Sequence, residues 1–178
     1  MTITNETGNS PANILCKSCG LCCTGHLFAW AHLNAAELFY AQSIGLNVIQ
    51  DNPHQRGFTQ PCSMWNGVCA LYNSPKYPRS CKKYQCDVLR RLLDEDISLP
   101  DALSAIQETL TLIREIELLL PASSAISFRE RLITYKEDLE SKGKEYTEPE
   151  SEFLRKAEVL LTYYADRFGM DDFIDYEK

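Results

Sequence analysis

The sequence lacks a long apolar run and an export signal at its start. Its longest apolar segments, near 27–33 and 118–122, fall far short of the roughly 20 residues that a membrane-spanning helix needs. Residues 1–15 have no basic start, no apolar centre and no small-residue cleavage site, unlike a secretion signal. We therefore expect a soluble protein of the cytoplasm that has no membrane partner.

The short motifs that mark several enzyme classes are also missing. The chain contains no G-x-x-x-x-G-K-[ST] loop, no G-x-G-x-x-G turn, no H-E-x-x-H helix and no His-x-Glu deaminase signature. Its cysteine spacing differs from the C-x-x-x-C-x-x-C of radical enzymes, and the βαβ pattern of a thioredoxin-like site is not predicted. These absences argue against the corresponding reactions and leave any catalytic residue unknown.

Positive charge is scarce in the second half of the chain. Residues 98–178 contain 10 Lys and Arg against 18 Asp and Glu, whereas residues 1–97 contain 8 against 7. The two parts carry −8 and +1, which sum to the net charge of −7. Because phosphate contacts depend on Lys and Arg, this balance argues against a nucleic-acid partner. We expect another protein or a peptide as the partner.

Cysteine is absent after residue 86, yet eight cysteines lie between Cys16 and Cys86. In a reducing cytosol, such clustering favours metal ligands or catalytic thiols over disulfides. The alternative is a set of reduced cysteines packed in an ordinary core. We interpret all eight as metal ligands, for an iron–sulfur cluster or alternatively for zinc.

The first cysteine motif reads C-K-S-C-G-L-C-C. Cys16, Cys19 and Cys22 recur at equal intervals, as in the iron–sulfur loops of small bacterial ferredoxins, which favours a 4Fe-4S cluster. Gly20 lets the backbone bend closely around an ion. Cys23 breaks the spacing. Since neighbouring side chains of an extended loop point opposite ways, Cys23 either serves a second site or remains a reactive thiol.

The second cysteine motif contributes the other four thiols. An Asn-Gly turn pair lies between Cys62 and Cys69 and can bring them together. Cys81 and Cys86 follow a loop that two prolines stiffen. The eight thiols therefore form either two four-cysteine sites or one such site with the remaining thiols buried or reactive.

Three further groups of side chains near the motifs each have two interpretations. His26 and His32 either replace a cysteine in a mixed site or, more simply, serve packing and polar roles. Four aromatic residues either shield a cluster from solvent or fill an ordinary core: Phe28, Trp30, Trp65 and Tyr72. Four basic residues either form a solvated loop or offset thiolate charge: Lys76, Arg79, Lys82 and Lys83.

This arrangement resembles the YkgJ-like cysteine-cluster family, whose members are described as zinc- or iron-chelating proteins and share C-x-x-C-x-x-C-C. The resemblance covers about residues 14–90 and continues beyond the first motif with a helix, a C…G-x-C-x-x-Y segment and a proline loop leading to C…Y-x-C. The matching later positions are Cys62, Gly67, Cys69, Tyr72, Pro78, Cys81, Tyr84 and Cys86. The resemblance implies that the chain binds a metal or a cluster.

Three helices are predicted after residue 98, and they indicate a small antiparallel helical unit. The first starts near Asp101 and ends before Pro121. Its apolar face consists of Leu103, Ile106, Leu110 and Ile113. The second carries Phe128, Leu132, Tyr135 and Leu139 between a Ser127–Glu130 capping box and Gly143. The third opens near Thr147 and ends at Gly169, with Phe153, Ala157, Leu160, Leu161, Tyr164 and Phe168 on its face.

Two short helices are predicted inside the cysteine region. Asn34 and Glu37 resemble a cap pair for one, which presents Leu38, Phe39 and Ile44. Asp87 caps the other, so Cys86 lies at a helix N-terminus, where the dipole favours a thiolate.

The prediction is a mainly α protein in which an irregular, cysteine-rich metal-binding region precedes the helical unit. Its parts are a flexible N-terminus (1–13), a cysteine-cluster metal-binding domain (14–97), a helical unit packing on it (98–170) and an acidic tail (171–178). An iron–sulfur protein would serve electron transfer, sensing or modification of another protein. The alternatives are a zinc-stabilised interaction module without catalysis and an iron-dependent enzyme with an open coordination position.

Overall fold

The computed structural model describes residues 10–50, 52, 54–72, 74–122, 127–143 and 145–170. Within these ranges the chain forms seven helices and one two-stranded antiparallel sheet, which confirms the mainly α class. The helices are α1 (Pro11–Cys19), α2 (Ala35–Ser43), α3 (Arg79–Lys83), α4 (Asp87–Leu93), α5 (Leu99–Glu117), α6 (Phe128–Lys142) and α7 (Glu148–Phe168). The strands are β1 (Trp30–His32) and β2 (Gly57–Thr59). The predicted acidic tail and residues 1–9 of the predicted flexible N-terminus lie outside the described residues.

The three long helices begin at capping boxes, as their sequences dictate. Ser98, Ser127 and Thr147 each accept a hydrogen bond from the backbone N–H three residues on. An acidic side chain at that third position accepts the N–H of the capping residue in return. These bonds satisfy donors that a first helical turn leaves unpaired. The predicted ends of α6 at Gly143 and of α7 at Gly169 are confirmed.

The structure corrects the predicted start and face of α5. The helix begins at Leu99 rather than near Asp101, because Ser98 is its cap and Asp101 completes the box as the third helical residue. Its buried face is rotated about the helix axis relative to the predicted one. Ile106 and Ile113 belong to both faces, whereas Leu103 and Leu110 are only partly buried. The buried positions are Ala102, Ile106, Thr109, Ile113 and Ile116.

The short helices differ from their predictions in three details. α4 begins one residue early, so that Cys86 itself is the N-cap in place of Asp87. In α2 the side chain of Phe39 is 85% exposed, and Ala41 is the buried residue of that helix. α1 was not predicted. Ser10 caps it and Gly20 ends it with a φ of +69°, a conformation that glycine adopts without strain.

Two separate hydrophobic cores are present in the described part of the chain. The main core contains 18 buried apolar residues from α1, α4, α5, α6, α7 and the turn after α1. α1 packs against α4 and α5, and α7 packs against α4, α5 and α6. The second, which we call the sheet core, contains only Leu33, Ala41, Leu46 and Phe58. No helix of the described residues is long and apolar enough to cross a membrane.

Candidate metal centre

All eight cysteines line one cavity, which has a volume of about 820 Å³. All eight are free thiols, and each is partly buried. The cavity lies between the main core and the sheet core, since its walls include Leu15 and Ile106 of the first and Leu46 and Phe58 of the second. The fold thus brings together two cysteine motifs that the sequence separates.

Helices α1 and α4 position one group of thiols, which we call the first thiol set. Cys16 and Cys19 occupy the end of α1, Cys22 lies in the turn that follows Gly20, and Cys86 caps α4. The first motif is therefore not an extended loop, because α1 continues to Cys19 and residues 21–25 form turns. The packing of α1 on α4 brings Cys86 to the other three. The proximity of Cys86 and of Cys16 adds to the rise in the pKa of Cys19, after the larger effect of burial.

The other four thiols form a group that we call the second thiol set: Cys23, Cys62, Cys69 and Cys81. Loops next to the sheet hold these residues in place. The Cys62 N–H donates to the Cys23 carbonyl oxygen at 2.7 Å. Cys69 pairs with Trp65 in an isolated β-bridge around the predicted Asn-Gly turn, and Cys81 lies on α3, which packs against β1. The proximity of Cys62 and of Cys69 adds to the rise in the pKa of Cys81, after the larger effect of burial.

Burial keeps most of these thiols protonated in the metal-free chain. Removal from water raises the pKa of Cys19 and of Cys81 to about 12, because the charged thiolate is penalised there. Burial also raises the pKa of Cys16, Cys22, Cys62 and Cys86. In the second set, Cys23 and Cys69 share a hydrogen bond, which raises the pKa of Cys23 and lowers that of Cys69.

Backbone donors face five of the sulfurs and oppose this effect of burial; these sulfurs belong to Cys19, Cys62, Cys69, Cys81 and Cys86. The N–H of Leu21 lowers the pKa of Cys19, and N–H groups two residues further along the chain act in the same way on Cys62 and Cys69. The N–H groups at the start of α4 do so for Cys86, as predicted from its place at a helix N-terminus. Such donors stabilise a thiolate and tune a metal bound to it.

Aromatic side chains form much of the cavity wall, including all four that the sequence analysis names: Phe28, Trp30, Trp65 and Tyr72. The Trp65 indole lies directly on Gly20, where an added Cβ would come within 2.3 Å of the ring. The Tyr72 hydroxyl lies 3.0 Å from Asn13 Oδ1 and also hydrogen-bonds with Cys16. Burial raises the pKa of Tyr72 to about 12.

The structure adds cavity residues that the sequence analysis did not single out. Tyr77 lies beside Cys81 of the second set, and burial raises its pKa. Tyr84, known so far only as part of the family pattern, lies beside Cys22 of the first set, and its hydroxyl donates to the Phe168 carbonyl at 2.8 Å. Gln60 and Arg129 also line the cavity, although Arg129 comes from the distant helix α6. Gln60 and Tyr84 lie two residues before Cys62 and Cys86, but no local sequence signal places Arg129 near the cysteines.

The two candidate histidine ligands lie in different surroundings. His26 packs edge-on against Phe128, and its Nδ1 is 2.6 Å from Thr24 Oγ1. Burial lowers the pKa of His26 to about 4, which keeps the ring neutral. His32 is an exposed residue of β1 at the cavity wall.

The basic stretch that precedes and includes α3 lies on the surface. Lys76, Arg79, Lys82 and Lys83 are all exposed, and Lys76 lies over the Tyr40 ring at 4.8 Å. The Arg79 backbone N–H donates to Glu37 at the start of α2. The stretch is therefore solvated as predicted, but Arg79, Lys82 and Lys83 belong to helix α3 and not to a loop.

The donor set fits a thiolate-bound metal in its chemistry, but the sulfurs do not yet converge. In the described part of the chain, no group of three or more His, Cys, Asp or Glu side chains is positioned to hold a metal ion. All eight thiols nevertheless face one cavity, and N–H donors point at five of them.

Comparison with known proteins yields no relative of this chain. No protein-family model, no curated protein and no solved structure matches it. The resemblance to the YkgJ-like family therefore stays a prediction, and the function has to be argued from the residues of the cavity.

Proposed function

We propose that this chain is a metal-binding protein whose cysteines carry iron–sulfur clusters, for electron transfer, sensing or modification of another protein. The observation that supports the proposal is that all eight thiols line a single cavity. Thiolate sulfur is the ligand that iron–sulfur clusters and structural zinc share. The proposal includes a reducing cytosol as the compartment and a protein or peptide as the partner of the acidic helical half.

The size and walls of the cavity favour a cluster over a single ion. Its volume of about 820 Å³ greatly exceeds the ~30 Å³ that a water molecule occupies in the liquid, so it has room for a polynuclear group. Phe28, Trp30 and Trp65 line the cavity with aromatic surface, and the surroundings of a cluster are among the factors that set its reduction potential. A bound cluster would supply one-electron transfer.

The chain's own residues would supply ligands, hydrogen bonds and control over protons. The thiols of both sets would release their protons on binding, since burial keeps most of them neutral beforehand. The N–H groups facing Cys19, Cys62, Cys69 and Cys86 would stabilise the thiolates. Tyr72 would do the same for Cys16 through its hydroxyl.

A second candidate function is a zinc-stabilised interaction module. The small size of the sheet core favours it, because four buried apolar residues stabilise a fold only weakly. Zinc bound by the surrounding thiols would contribute folding free energy directly. The acidic surface of the helical half would then meet the partner.

Anaerobic purification followed by metal and acid-labile sulfide analysis tests the proposal. We expect iron with sulfide and broad absorption near about 400 nm, as thiolate-bound clusters give. Cys16→Ser, Cys19→Ser and Cys22→Ser should each lower the iron content, whereas Ser18→Ala, an exposed neighbour in the same motif, should leave it unchanged. Stoichiometric zinc in a colourless, air-stable protein would instead support the interaction module. A chain that binds neither would refute both.

A further inference from the structure

We infer that the cysteines form two separate four-thiolate centres, which divide between the neighbouring residues Cys22 and Cys23 and lie on different cores. The first thiol set would hold one centre and the second thiol set the other. This inference rests on the proposed metal binding and adds the grouping of the ligands, which the sequence leaves open.

The contacts with the two cores separate the cysteines in this way. Every member of the first thiol set packs against the main core. Of the second set, Cys62 and Cys81 pack against the sheet core. A centre on the first set would thus rest on helices that a large core fixes, while a centre on the second would rest on the sheet and its loops.

Backbone connections place the two remaining thiols of the second set. The hydrogen bond from Cys62 N–H to the Cys23 carbonyl fixes Cys23 beside Cys62, although Cys23 follows Cys22 directly in sequence. The bridge between Trp65 and Cys69 closes the turn that carries Cys69, and the Cys23 thiol hydrogen-bonds with Cys69. The carbonyl and the thiol of Cys23 therefore face the loops of the second motif, while its N–H donates to the carbonyl of Gly20 at the end of α1.

Two further tyrosines distinguish the centres, and a third connects them. Tyr84 lies beside the first set and Tyr77 mainly beside the second. Tyr72 hydrogen-bonds with Cys16 and also feels the charge of Cys69, so it lies between the sets. The two centres would then be neighbours that share the Cys22–Cys23 dipeptide and the Tyr72 ring.

Cysteine variants of the full chain test the division through metal content. We expect Cys22→Ser, Cys86→Ser and the Cys22→Ser/Cys86→Ser double variant each to lose about half of the bound metal, because all three disable one centre. Cys23→Ser and Cys81→Ser should lose the other half. The Cys22→Ser/Cys23→Ser variant should lose nearly all of it. Metal is measured per chain by mass spectrometry, and circular dichroism checks the fold.

A second measurement uses the unmodified chain, so that no variant has to fold. The metal-free protein is titrated with Zn²⁺ as a thiolate probe, alkylated with iodoacetamide and mapped by mass spectrometry. We expect the four thiols of one set to become protected together before or after the four of the other. Protection of all eight in one step, or of Cys22 together with Cys23, would overturn the division while leaving metal binding intact. A chain that takes up no metal would overturn both proposals.

Discussion

The main core and the sheet core of this protein contain very different amounts of buried apolar surface. Among the described residues, 18 buried apolar side chains form the main core, whereas four form the sheet core. Burial of one large apolar side chain contributes about 1.5–3 kcal/mol, so the sheet core alone contributes far less to stability than the main core. Four of the eight cysteines pack against the main core, and Cys62 and Cys81 pack against the sheet core, so a metal bound by the second thiol set would contribute most where hydrophobic burial is smallest.

Removal of the metal should separate the two cores most clearly. If thiolate-bound metal stabilises the sheet core, chelation under reducing conditions should abolish amide protection around Phe58 and Cys62. Amides of α7 around Leu160 should stay protected, since Leu160 is fully buried among the 18 apolar side chains of the main core. Hydrogen exchange read by mass spectrometry measures both regions in one sample. Equal loss of protection in α7 would contradict the comparison.

Shortening one phenylalanine in each core should have effects on stability and metal affinity that depend differently on bound metal. Phe153→Ala should cost about 3–5 kcal/mol in the free energy of unfolding with or without metal, because Phe153 is fully buried in the main core. Phe58→Ala should lower the metal affinity of the second thiol set, since Phe58 is central to the sheet core. Leu118→Ala, at a position 87% exposed, is the control for both. Urea titrations of the loaded and metal-free chains give the values.

The main core should also carry a pH dependence that comes from His26. Burial holds the folded-state pKa at about 4, below the unfolded value of about 6.5, so the unfolded chain binds the extra proton in between. Stability should therefore fall as the pH drops from 7.5 to 5, by about 2 kcal/mol from this residue. Glu117, whose carboxylate is 3.9 Å away and 42% exposed, opposes the effect only weakly.

Urea titrations of His26→Gln and of the unmodified chain at both pH values measure the contribution. The variant should lose about 2 kcal/mol less than the unmodified chain over this interval. His54→Gln, at an exposed position, is the matched control and should behave like the unmodified chain. Proton competition for the thiols is common to all three proteins and cancels in the comparison. Equal pH dependence in all three would disprove the role of His26.

The contact between Gly20 at the end of α1 and Trp65 in the second cysteine motif joins the two motifs, and it should show the smallest effect. Gly20→Ala introduces a Cβ that would lie 2.3 Å from the Trp65 ring, at a φ of +69°. Gly67→Ala adds the same atom at a φ of +76° with nothing within 4 Å, so both variants share the backbone strain. Gly20→Ala should be about 1–2 kcal/mol less stable than Gly67→Ala and should alter the tryptophan fluorescence. Identical behaviour would mean that the indole moves aside freely.

Much of the helical half could be predicted from sequence, because its determinants are local. Ser127 with Glu130 and Thr147 with Glu150 form their capping boxes within one helical turn, and Gly169 ends α7. Ile106 and Ile113 of the predicted α5 face are buried, but Leu103 and Leu110 are only partly buried, because the neighbouring helices decide which stripe is covered. α5 packs against α1, α4 and α7, and this packing buries Ala102 and Ile116 instead. Local periodicity does not contain that information.

In the cysteine region the residue types were predictable but their grouping was not. The spacing identified Cys16, Cys19 and Cys22 as a set of ligand candidates, and the whole set of eight does line one cavity. The approach of Cys86 to α1 depends on helix packing, and that of Cys62 to Cys23 on a hydrogen bond between residues 39 positions apart. The spacing of the cysteines along the sequence predicts neither contact.

The sequence by itself determined the helical class, the N-terminal caps of α6 and α7 and the supply of eight thiols in one part of the chain, since these depend on near neighbours or on composition. Only the tertiary structure decided that Cys22 and Cys23 point to different partners and that Trp65 covers Gly20. These features arise where the main core meets the sheet core. Contacts between distant segments fix them, and adjacent residues with the same side chain can therefore have different surroundings.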